Sequence, residues 1–416
     1  MVRKPLVCLL SLALSLLLVA LFARTVRADP VPPGPTDVSA PSGTCVDGIQ
    51  DSGAAYRICM PRGSWNKQLV VYAHGYVAIY RPVGIPEDQM SLPGYPQTVD
   101  EMVNGLGYAF AASSYYTNGL AVLPALSDLV DLVDIFAQKQ TTPTNVLLAG
   151  VSEGGLITAL AVEQRPDVFD GGLAMCGPYG SFLDQTDYLG DFRVLFDYFF
   201  PGIVPGSPVS IPASLMADWE TSTYSTTVLP VLEDPANAVS ITQILQMVGI
   251  PPYAYDPPTS TASMERLLWY SVYATNDATA KLGGQPFDNM DRVYTGSNDD
   301  VALNQAVARF SADPVAVGEL EANYIPSGAL TVPLVMMHTT GDALVPYRQA
   351  QLYRSSVLRS DTLALHDLMT VERYGHCSFT SGEVFLAFAT LDDRIANPRP
   401  YQPVQRVFVP LVVRDS

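Results

Sequence analysis

Residues 150–154 read Gly-Val-Ser-Glu-Gly and place a serine in a pattern that supports nucleophilic catalysis. Gly-x-Ser-x-Gly is typical of a nucleophile elbow when a strand ends before it and a helix begins after it. Here an apolar run at residues 146–149 precedes the motif, and a helical stretch at residues 156–163 follows it. The motif therefore predicts that Ser152 is a nucleophile on a sharp, strained turn. The alternative is a serine that caps a helix after a glycine-rich turn.

A serine hydroxyl becomes an effective nucleophile only when a neighbouring base removes its proton. The chain contains four histidines. His74 and His338 end predicted strands, and His366 precedes or begins another one. His376 lies in the loop after the last predicted strand, downstream of the serine. The sequence therefore favours His376 as the base.

The base needs an acid that orients its ring, and this acid is expected after the strand that precedes the histidine. Asp342 occupies that position, in the loop after the predicted strand at residues 333–337. Asp361 and Glu372 are the rival acids. The first is predicted in a surface loop and the second next to a strand end, so solvated roles are favoured for both.

Acyl transfer also requires hydrogen-bond donors for the oxygen that becomes negative in the transition state. The backbone N–H of Glu153, at the start of the predicted helix, is one such donor. The backbone N–H of Tyr76, in the loop after the early strand, is predicted to be the second. His74 is interpreted as a structural anchor of this loop.

Strand and helix patterns alternate along much of the chain and predict an α/β fold with parallel strands. A helix pattern at residues 126–136 places Asp128, Asp131 and Asp134 on a face that we interpret as solvated. Between residues 178 and 331 the alternation stops, and helical stretches predict one large insertion. A closing helix is predicted at residues 381–395, with Ser381 as its cap. The predicted strands lie at residues 69–73, 108–112, 146–149, 172–175, 333–337 and 368–371.

The insertion is expected to cover the carboxyl ends of the strands, where Ser152, Asp342 and His376 would meet, and so to set specificity. Its aromatic side chains are interpreted as core or as pocket lining, and none is assigned to the site. They are Tyr198, Phe199, Phe200, Trp219, Tyr253, Tyr255, Trp269, Tyr270 and Tyr273.

The N-terminus has the features of an export signal, with Arg3 and Lys4 before an apolar run at residues 6–22 and a small-x-small site at residues 26–28. The mature protein is therefore expected to begin near Asp29 and to be secreted or extracytoplasmic. The alternative is an uncleaved membrane anchor. We divide the chain into five parts. They are a signal peptide at residues 1–28, a first part of the hydrolase core at 29–177, a cap insertion at 178–331, a second part of the core at 332–396 and a C-terminal tail at 397–416.

The composition excludes several classes of protein. Hydrophobic residues make up 48% of the chain and charged residues 15%, which excludes disordered, coiled-coil and collagen-like chains. The chain has 41 acidic and 23 basic residues, for a formal charge of −18. This balance disfavours nucleic acids as partners.

Four cysteines lie outside the predicted leader, an even number in a chain predicted to be exported: Cys45, Cys59, Cys176 and Cys377. Cys45 and Cys59 flank a short turn with glycine and serine, so they form the favoured local pair. This leaves Cys176 to pair with Cys377. The alternative is that the four are free buried thiols.

The sequence offers little support for a metal or an organic cofactor. No CxxC or HExxH spacing is present, so a zinc site has little support. Acidic loops at residues 288–291 and 297–300 have ligands that suit calcium, but solvated turns are the favoured interpretation. We therefore predict a site without a cofactor or metal.

The order Ser152, Asp342, His376 and the motifs around these residues resemble the α/β-hydrolase superfamily. The wider sequence, over about residues 52–388, resembles secreted bacterial esterase-like hydrolases. The residues that carry this resemblance are 65–76, 150–155, 170–177 and 338–342. The resemblance implies a mostly parallel sheet of eight strands, a mainly helical cap inserted after the sixth strand, and ester hydrolysis through an acyl-enzyme.

His376-Cys377 also resembles tannase and feruloyl-esterase-like enzymes, in which a cysteine before the nucleophile pairs with one after the histidine. Here Val151 precedes Ser152, which argues against a phenolic ester and leaves Cys377 to find another partner. The strand order implied by the superfamily places Cys176 after the sixth strand and Cys377 after the eighth.

Three functions follow from these residues. The favoured one is a secreted serine esterase acting on a small-molecule or polymer ester, without stable membrane insertion after signal cleavage. A serine peptidase or amidase on the same fold is the alternative, because the triad does not distinguish esters from amides. A non-catalytic binding protein is disfavoured, since binding would not need the three catalytic residue types.

Overall fold

A computed structural model describes residues 44–92, 96–250 and 257–398. The predicted signal peptide, Tyr253, Tyr255 and nearly all of the predicted tail lie outside these ranges. Of the helices in the described ranges, none is both long enough and apolar enough to cross a membrane.

The described residues form one eight-stranded sheet with the order β1-β2-β4-β3-β5-β6-β7-β8. β2 pairs antiparallel with β1 and with β4, and all the other pairs are parallel. The mostly parallel eight-stranded sheet expected from the sequence is thereby confirmed. The strands are β1 Thr44–Ile49, β2 Ala55–Met60, β3 Gln68–Ala73, β4 Ala109–Ser113, β5 Asn145–Val151, β6 Gly171–Met175, β7 Leu334–Gly341 and β8 His366–Tyr374.

Helices cover both faces of the sheet, which is why the inner strands are continuous apolar runs. In β3, Leu69 and Val71 pack on one face, and Val70 and Tyr72 pack on the other. The helices are α1 Val99–Gly105, α2 Val122–Lys139, α3 Glu153–Gln164, α4 Phe182–Phe199, α5 Ala213–Asp218, α6 Leu229–Glu233, α7 Ala238–Met247, α8 Pro257–Leu282, α9 Asp300–Ala306, α10 Pro314–Asn323, α11 Arg348–Arg359 and α12 Ser381–Ala396.

The segment between β6 and β7 has no named strand among its described residues and contains α4 to α10 with a π-helix at Trp219–Val228, joined by irregular loops. This confirms a mainly helical insertion after the sixth strand. It has a core of its own, which includes Phe192, Ile244 and Leu267. Leu344, in the loop after β7, packs into the same core, so the insertion contacts the strand ends. The division of the chain at residues 177 and 331 stays a prediction.

Two disulfides cross-link the fold. Cys45 and Cys59 are register partners on the antiparallel strands β1 and β2. Cys176 and Cys377, 201 residues apart in sequence, join the carboxyl ends of β6 and β8. These are the two pairs that the sequence favoured.

Two local predictions were wrong. The cap of α12 is Thr380, whose hydroxyl accepts the N–H of Glu383 while the Glu383 carboxylate accepts the N–H of Thr380. Of the three aspartates predicted to be solvated, Asp134 is exposed and Asp131 is half-buried, but Asp128 is buried and its carboxylate accepts the backbone N–H of Tyr116 at 2.8 Å. Burial raises the pKa of Asp128.

Candidate active site

Ser152 sits on the turn between β5 and α3 with φ 55° and ψ −122°. This positive φ is costly for a residue other than glycine and must be enforced by its surroundings. A Cβ atom on Gly150 would collide with the carbonyl oxygen of Gly154, and one on Gly154 would collide with the carbonyl oxygen of Ala73. Glycines are therefore required at both places for the strand, the turn and the helix to pack this closely.

The structure brings Ser152, His376 and Asp342 together, although they lie far apart in sequence. Ser152 Oγ is 2.8 Å from His376 Nε2, and His376 Nδ1 is 2.7 Å from Asp342 Oδ2. All three residues follow the carboxyl ends of strands, β5, β8 and β7 respectively. The parallel sheet therefore assembles the chain of hydrogen bonds that a serine nucleophile requires.

Asp342 is fully buried and ionised. Its Oδ1 accepts the backbone N–H groups of Leu344 and Val345, each at 2.9 Å. Burial favours the neutral acid, but the neighbouring His376 and these hydrogen bonds together hold the pKa of Asp342 below its usual value. An ionised Asp342 can only accept, so His376 carries its proton on Nδ1. His376 Nε2 is then free to accept the proton of Ser152.

His338 supports the acid from behind, a role that the sequence did not indicate. Its Nε2 lies 2.8 Å from the carbonyl oxygen of Val345 and 3.7 Å from Asp342 Oδ2. Because a carbonyl oxygen only accepts, Nε2 carries the proton and Nδ1 accepts the hydroxyl of Tyr179 at 2.7 Å. Burial lowers the pKa of His338, which keeps the ring neutral.

Tyr76 follows β3 at the loop that faces the nucleophile. A Cβ atom on the preceding Gly75 would lie 3.1 Å from Ser152 Cβ, so this loop runs directly past the serine. Gln89 holds the loop from outside: its Oε1 accepts the N–H of Gly75 at 2.8 Å, and its Nε2 donates to the carbonyl oxygen of Tyr76 at 3.1 Å. No pattern in the sequence around Gln89 signals this role.

Glu153 is the first residue of α3, so its backbone N–H has no partner within the helix. Its side chain is 6% exposed, and Oε1 accepts the backbone N–H of Ala121 at 2.9 Å. Burial raises the pKa of Glu153 to about 8, against the opposing effects of that N–H and of Lys281. The sequence predicts a role for the backbone amide of Glu153, but no pattern in it indicates that the carboxyl of this residue is buried beside the nucleophile.

Neither His74 nor His366 forms a hydrogen bond with Ser152. His74 is buried, stacks on Tyr115 at 4.0 Å between ring centroids, and its Nδ1 donates to the carbonyl oxygen of Gly75 at 2.7 Å. Burial lowers the pKa of His74 to about 4 and that of His366, at the start of β8, to about 4. Both are therefore neutral structural residues.

The rival acids do not contact the base. Asp361 is exposed at the end of α11, and Glu372 is exposed on β8. Both carboxylates therefore lie away from the hydrogen-bonded chain that runs from Ser152 to Asp342.

Metal-ligating groups near the site are already engaged. The Sγ atoms of Cys176 and Cys377, next to His376, are joined in a disulfide and are not thiolate ligands. In the acidic loops, Asp300 accepts the N–H of Ser297 at 2.8 Å and Asp288 accepts that of Met290 at 3.1 Å. These carboxylates cap turns.

An apolar compartment opens on the nucleophile. It has a volume of about 130 Å³ and is lined by Ser152, Glu153 and Tyr76. The apolar side chains of its wall come from the loop before α2, from the insertion and from the loop after Asp342, and they include Leu120, Phe182, Leu189, Val209, Phe287 and Val345.

A second and more polar compartment opens on the base. It has a volume of about 620 Å³ and is lined by His376, Cys377 and Ser378 together with residues of α8. Tyr270 and Leu344 line both compartments and so form the partition between them. Of the aromatic residues considered from sequence, Trp269 and Tyr270 lie in these walls, whereas Trp219 belongs to the core of the insertion.

Residues 103–191 match a family model described as the prolyl oligopeptidase family. The match includes Ser152 and Glu153 but ends before Asp342 and His376, and it spans less than a quarter of the chain. No curated protein matches the sequence.

Solved structures of hydrolases are similar to this chain at low identity. The acylaminoacyl peptidase of Pyrococcus horikoshii is 10% identical with a TM-score of 0.43; the match covers 86% of this chain but only 42% of the peptidase. The rice cell wall degrading esterase LipA of Xanthomonas oryzae is 15% identical with a TM-score of 0.42, covering 84% of this chain and 87% of the esterase.

Candida antarctica lipase A, in its closed state, is 13% identical with a TM-score of 0.45, covering 86% of this chain and 78% of the lipase. The sheet order of this chain and its hydrogen-bonded Ser152, His376 and Asp342 side chains define its fold and its site independently of these similarities. On that basis the protein has the α/β-hydrolase fold, and its Ser152, His376 and Asp342 side chains form the chain of hydrogen bonds that is typical of a catalytic triad.

Proposed function

We propose that the protein is a secreted carboxylic-ester hydrolase that forms an acyl-enzyme on Ser152. The observation that carries the proposal is the apolar compartment that opens on Ser152, separate from the polar compartment at His376. The first compartment suits an uncharged acyl group, and the second suits a leaving group that exchanges with water.

The catalytic roles follow from the hydrogen bonds. Ser152 Oγ attacks the ester carbonyl carbon while His376 Nε2 takes the hydroxyl proton, and Asp342 holds the Nδ1–H of the resulting imidazolium. His376 then gives this proton to the leaving alcohol oxygen as the C–O bond breaks. A water molecule, deprotonated by His376, then attacks the acyl carbon, and His376 returns the proton to Ser152 Oγ as the bond between Oγ and the acyl group breaks and the acid leaves.

The backbone N–H groups of Tyr76 and Glu153 are the proposed donors to the developing oxyanion. Both residues line the apolar compartment beside Ser152. Each such donor is worth about 3–4 kcal/mol of transition-state stabilisation in serine hydrolases.

The position of the base assigns the compartments. Because His376 Nε2 must reach the leaving oxygen, the leaving group lies on the His376 side of Ser152. The acyl group then extends to the other side, past Tyr76 and Glu153, into the apolar compartment.

The charge of the apolar compartment favours esters over the substrates of aminopeptidases. An aminopeptidase needs an anion that binds the α-ammonium group of its substrate. Among the described residues that line this compartment, Glu153 is the single acid, and its pKa of about 8 leaves it mostly neutral near pH 7.

A serine peptidase is the second candidate, and the family match over residues 103–191 favours it. The same nucleophile, base and acid would cleave an amide if the polar compartment accepted a peptide amine as the leaving group.

A panel of substrates separates the two candidates. We expect p-nitrophenyl esters of short and medium fatty acids to be hydrolysed with kcat/KM at least a hundredfold above that of aminoacyl and prolyl p-nitroanilides. Ser152→Ala serves as the blank for each substrate. Faster turnover of the anilides would establish the peptidase instead.

A further inference from the structure

The polar compartment at the base carries Arg266, a cation that no described residue pairs with. The first half of α8 lines this compartment with Ser263, Arg266, Trp269 and Tyr270, which share one face of the helix at spacings of three and four residues. Arg266 is exposed and makes no hydrogen bond or ion pair with any residue in the described ranges. It faces the same space as His376.

The one acid in the wall of this compartment is directed elsewhere. Glu265 contacts Tyr224 of the π-helix, and burial together with the charge and hydrogen bond of Glu265 raises the pKa of Tyr224. The hydroxyls of Ser263 and Tyr374 are 2.6 Å apart and satisfy one another. The guanidinium of Arg266 is therefore the group in this wall that is left to bind an anion.

Acidic residues outnumber basic ones in this protein, whose formal charge is −18. Of the thirteen arginines in the described ranges, eight form ion pairs with carboxylates, as Arg57 does with Asp47 and Arg81 does with Asp88. The guanidinium of Arg266 presents a planar fork of N–H donors, and this fork matches the two oxygens of a carboxylate or of a phosphate.

We propose that Arg266 binds a carboxylate on the leaving group of the substrate. This inference rests on the proposed ester hydrolysis, and it deepens that proposal by naming the alcohol: a hydroxy acid whose hydroxyl is esterified by an uncharged acyl group. The rings of Trp269 and Tyr270, in the same wall, contact the carbon skeleton between the ester oxygen and the carboxylate. Arg266 is thereby a specificity residue.

Two esters with the same acyl group test the inference. The first is para-butanoyloxybenzoate, whose leaving group carries a carboxylate, and the second is para-butanoyloxybenzamide, whose leaving group is neutral. Arg266→Gln should lower kcat/KM about three- to tenfold for the benzoate and less than twofold for the benzamide. Because each ester is compared with itself, the different reactivities of the two phenols cancel. Arg266→Lys should retain part of the preference.

Arg354→Gln is the matched control, since Arg354 is an exposed arginine on α11 that lines neither compartment. Arg354→Gln changes the net charge by the same amount as Arg266→Gln. It should leave kcat/KM unchanged for both the benzoate and the benzamide. The preference for the benzoate should also weaken as salt is added, because an exposed ion pair is screened.

A binding measurement keeps the inference separate from the reaction. Calorimetric titration of the Ser152→Ala protein with para-hydroxybenzoate should show binding. Adding Arg266→Gln to this protein should raise the dissociation constant by the same three- to tenfold. If Arg266→Gln lowered kcat/KM equally for both esters, or if binding of para-hydroxybenzoate did not depend on Arg266, the inference would be overturned. Ester hydrolysis itself would remain intact. If anilides alone were cleaved, ester hydrolysis would fail, and the titration would still decide whether Arg266 binds a carboxylate.

Discussion

Cys377, the residue after His376, is bonded through its sulfur to Cys176, the residue after β6. The loop that carries the base is therefore covalently joined to the strand beside the one that carries Ser152. Cys377 Sγ lies 3.5 Å from His376 Nε2, so the bond is next to the reacting groups. A disulfide placed there restricts where the imidazole can move.

Reduction of this disulfide should lower activity before the protein unfolds. Without the bond, the loop around His376 gains conformations in which Nε2 no longer reaches Ser152, so kcat should fall about tenfold or more. Cys176→Ser and Cys377→Ser should have the same effect, measured as activity alongside circular dichroism.

The disulfide between Cys45 and Cys59 provides the control. It lies on β1 and β2 at the far edge of the sheet, so Cys45→Ser should lower stability by about 2–4 kcal/mol with little change in kcat. Peptide mapping that finds Cys377 as a free thiol in fully active enzyme would remove the basis of this prediction.

Ser152→Ala should leave the fold intact and lower kcat by about four to six orders of magnitude, because the covalent step is lost. A fluorophosphonate probe should label the wild-type protein at Ser152 and leave the variant unlabelled. Ser355→Ala, on the exposed face of α11, is the matched control. Labelling of any other serine, mapped by mass spectrometry, would refute the assignment of the nucleophile.

Gln89→Glu should lower kcat about ten- to a hundredfold with little change in KM. The new carboxylate cannot donate to the carbonyl oxygen of Tyr76, and its charge repels that oxygen, so the loop should shift away from the oxyanion. Gln89 acts by positioning Tyr76, and a split between kcat and KM distinguishes this role from lost substrate binding. Gln351→Glu, exposed on α11, should change neither parameter. A rise in KM at constant kcat contradicts the prediction.

The carboxyl of Glu153 should make stability depend on pH. Its pKa is about 8 in the folded protein, whereas an unfolded glutamate has a pKa of about 4.3. Between these values the folded state holds a proton that the unfolded chain has released, so stability should fall as the pH rises from about 4 to about 8. Glu153→Gln should remove this slope and stabilise the protein at pH 8 by a few kcal/mol.

Activity should respond to the same ionisation. Above pH 8 an ionised Glu153 beside the developing oxyanion opposes its negative charge, so kcat of the wild-type protein should decline while that of Glu153→Gln does not. Glu321→Gln, an exposed acid on α10, is the control and should keep both profiles of the wild type. Identical pH profiles of stability for Glu153→Gln and wild type would show that the buried carboxyl is not neutral.

Much of the site can be derived from sequence because its parts follow strands. Ser152 lies between two glycines at a strand-to-helix junction, Asp342 follows the buried strand β7, and His376 follows the half-buried strand β8. Parallel strands bring their carboxyl ends to one edge of a sheet, so local patterns were enough to predict that these residues meet. The edge strands β1 and β2 were not located from pattern, because β1 is largely exposed and lacks a buried apolar run.

The tertiary structure alone decided what surrounds the triad. Gln89 lies 13 residues from Tyr76, and Arg266 lies 110 residues before His376, and no periodic pattern links either pair. Glu153 looks in sequence like an ordinary charged residue at a helix start, and only the packing of neighbouring elements around it excludes water and raises its pKa. Hydrophobic periodicity reports which face of an element is buried, whereas the partners of a buried polar group depend on how distant elements pack.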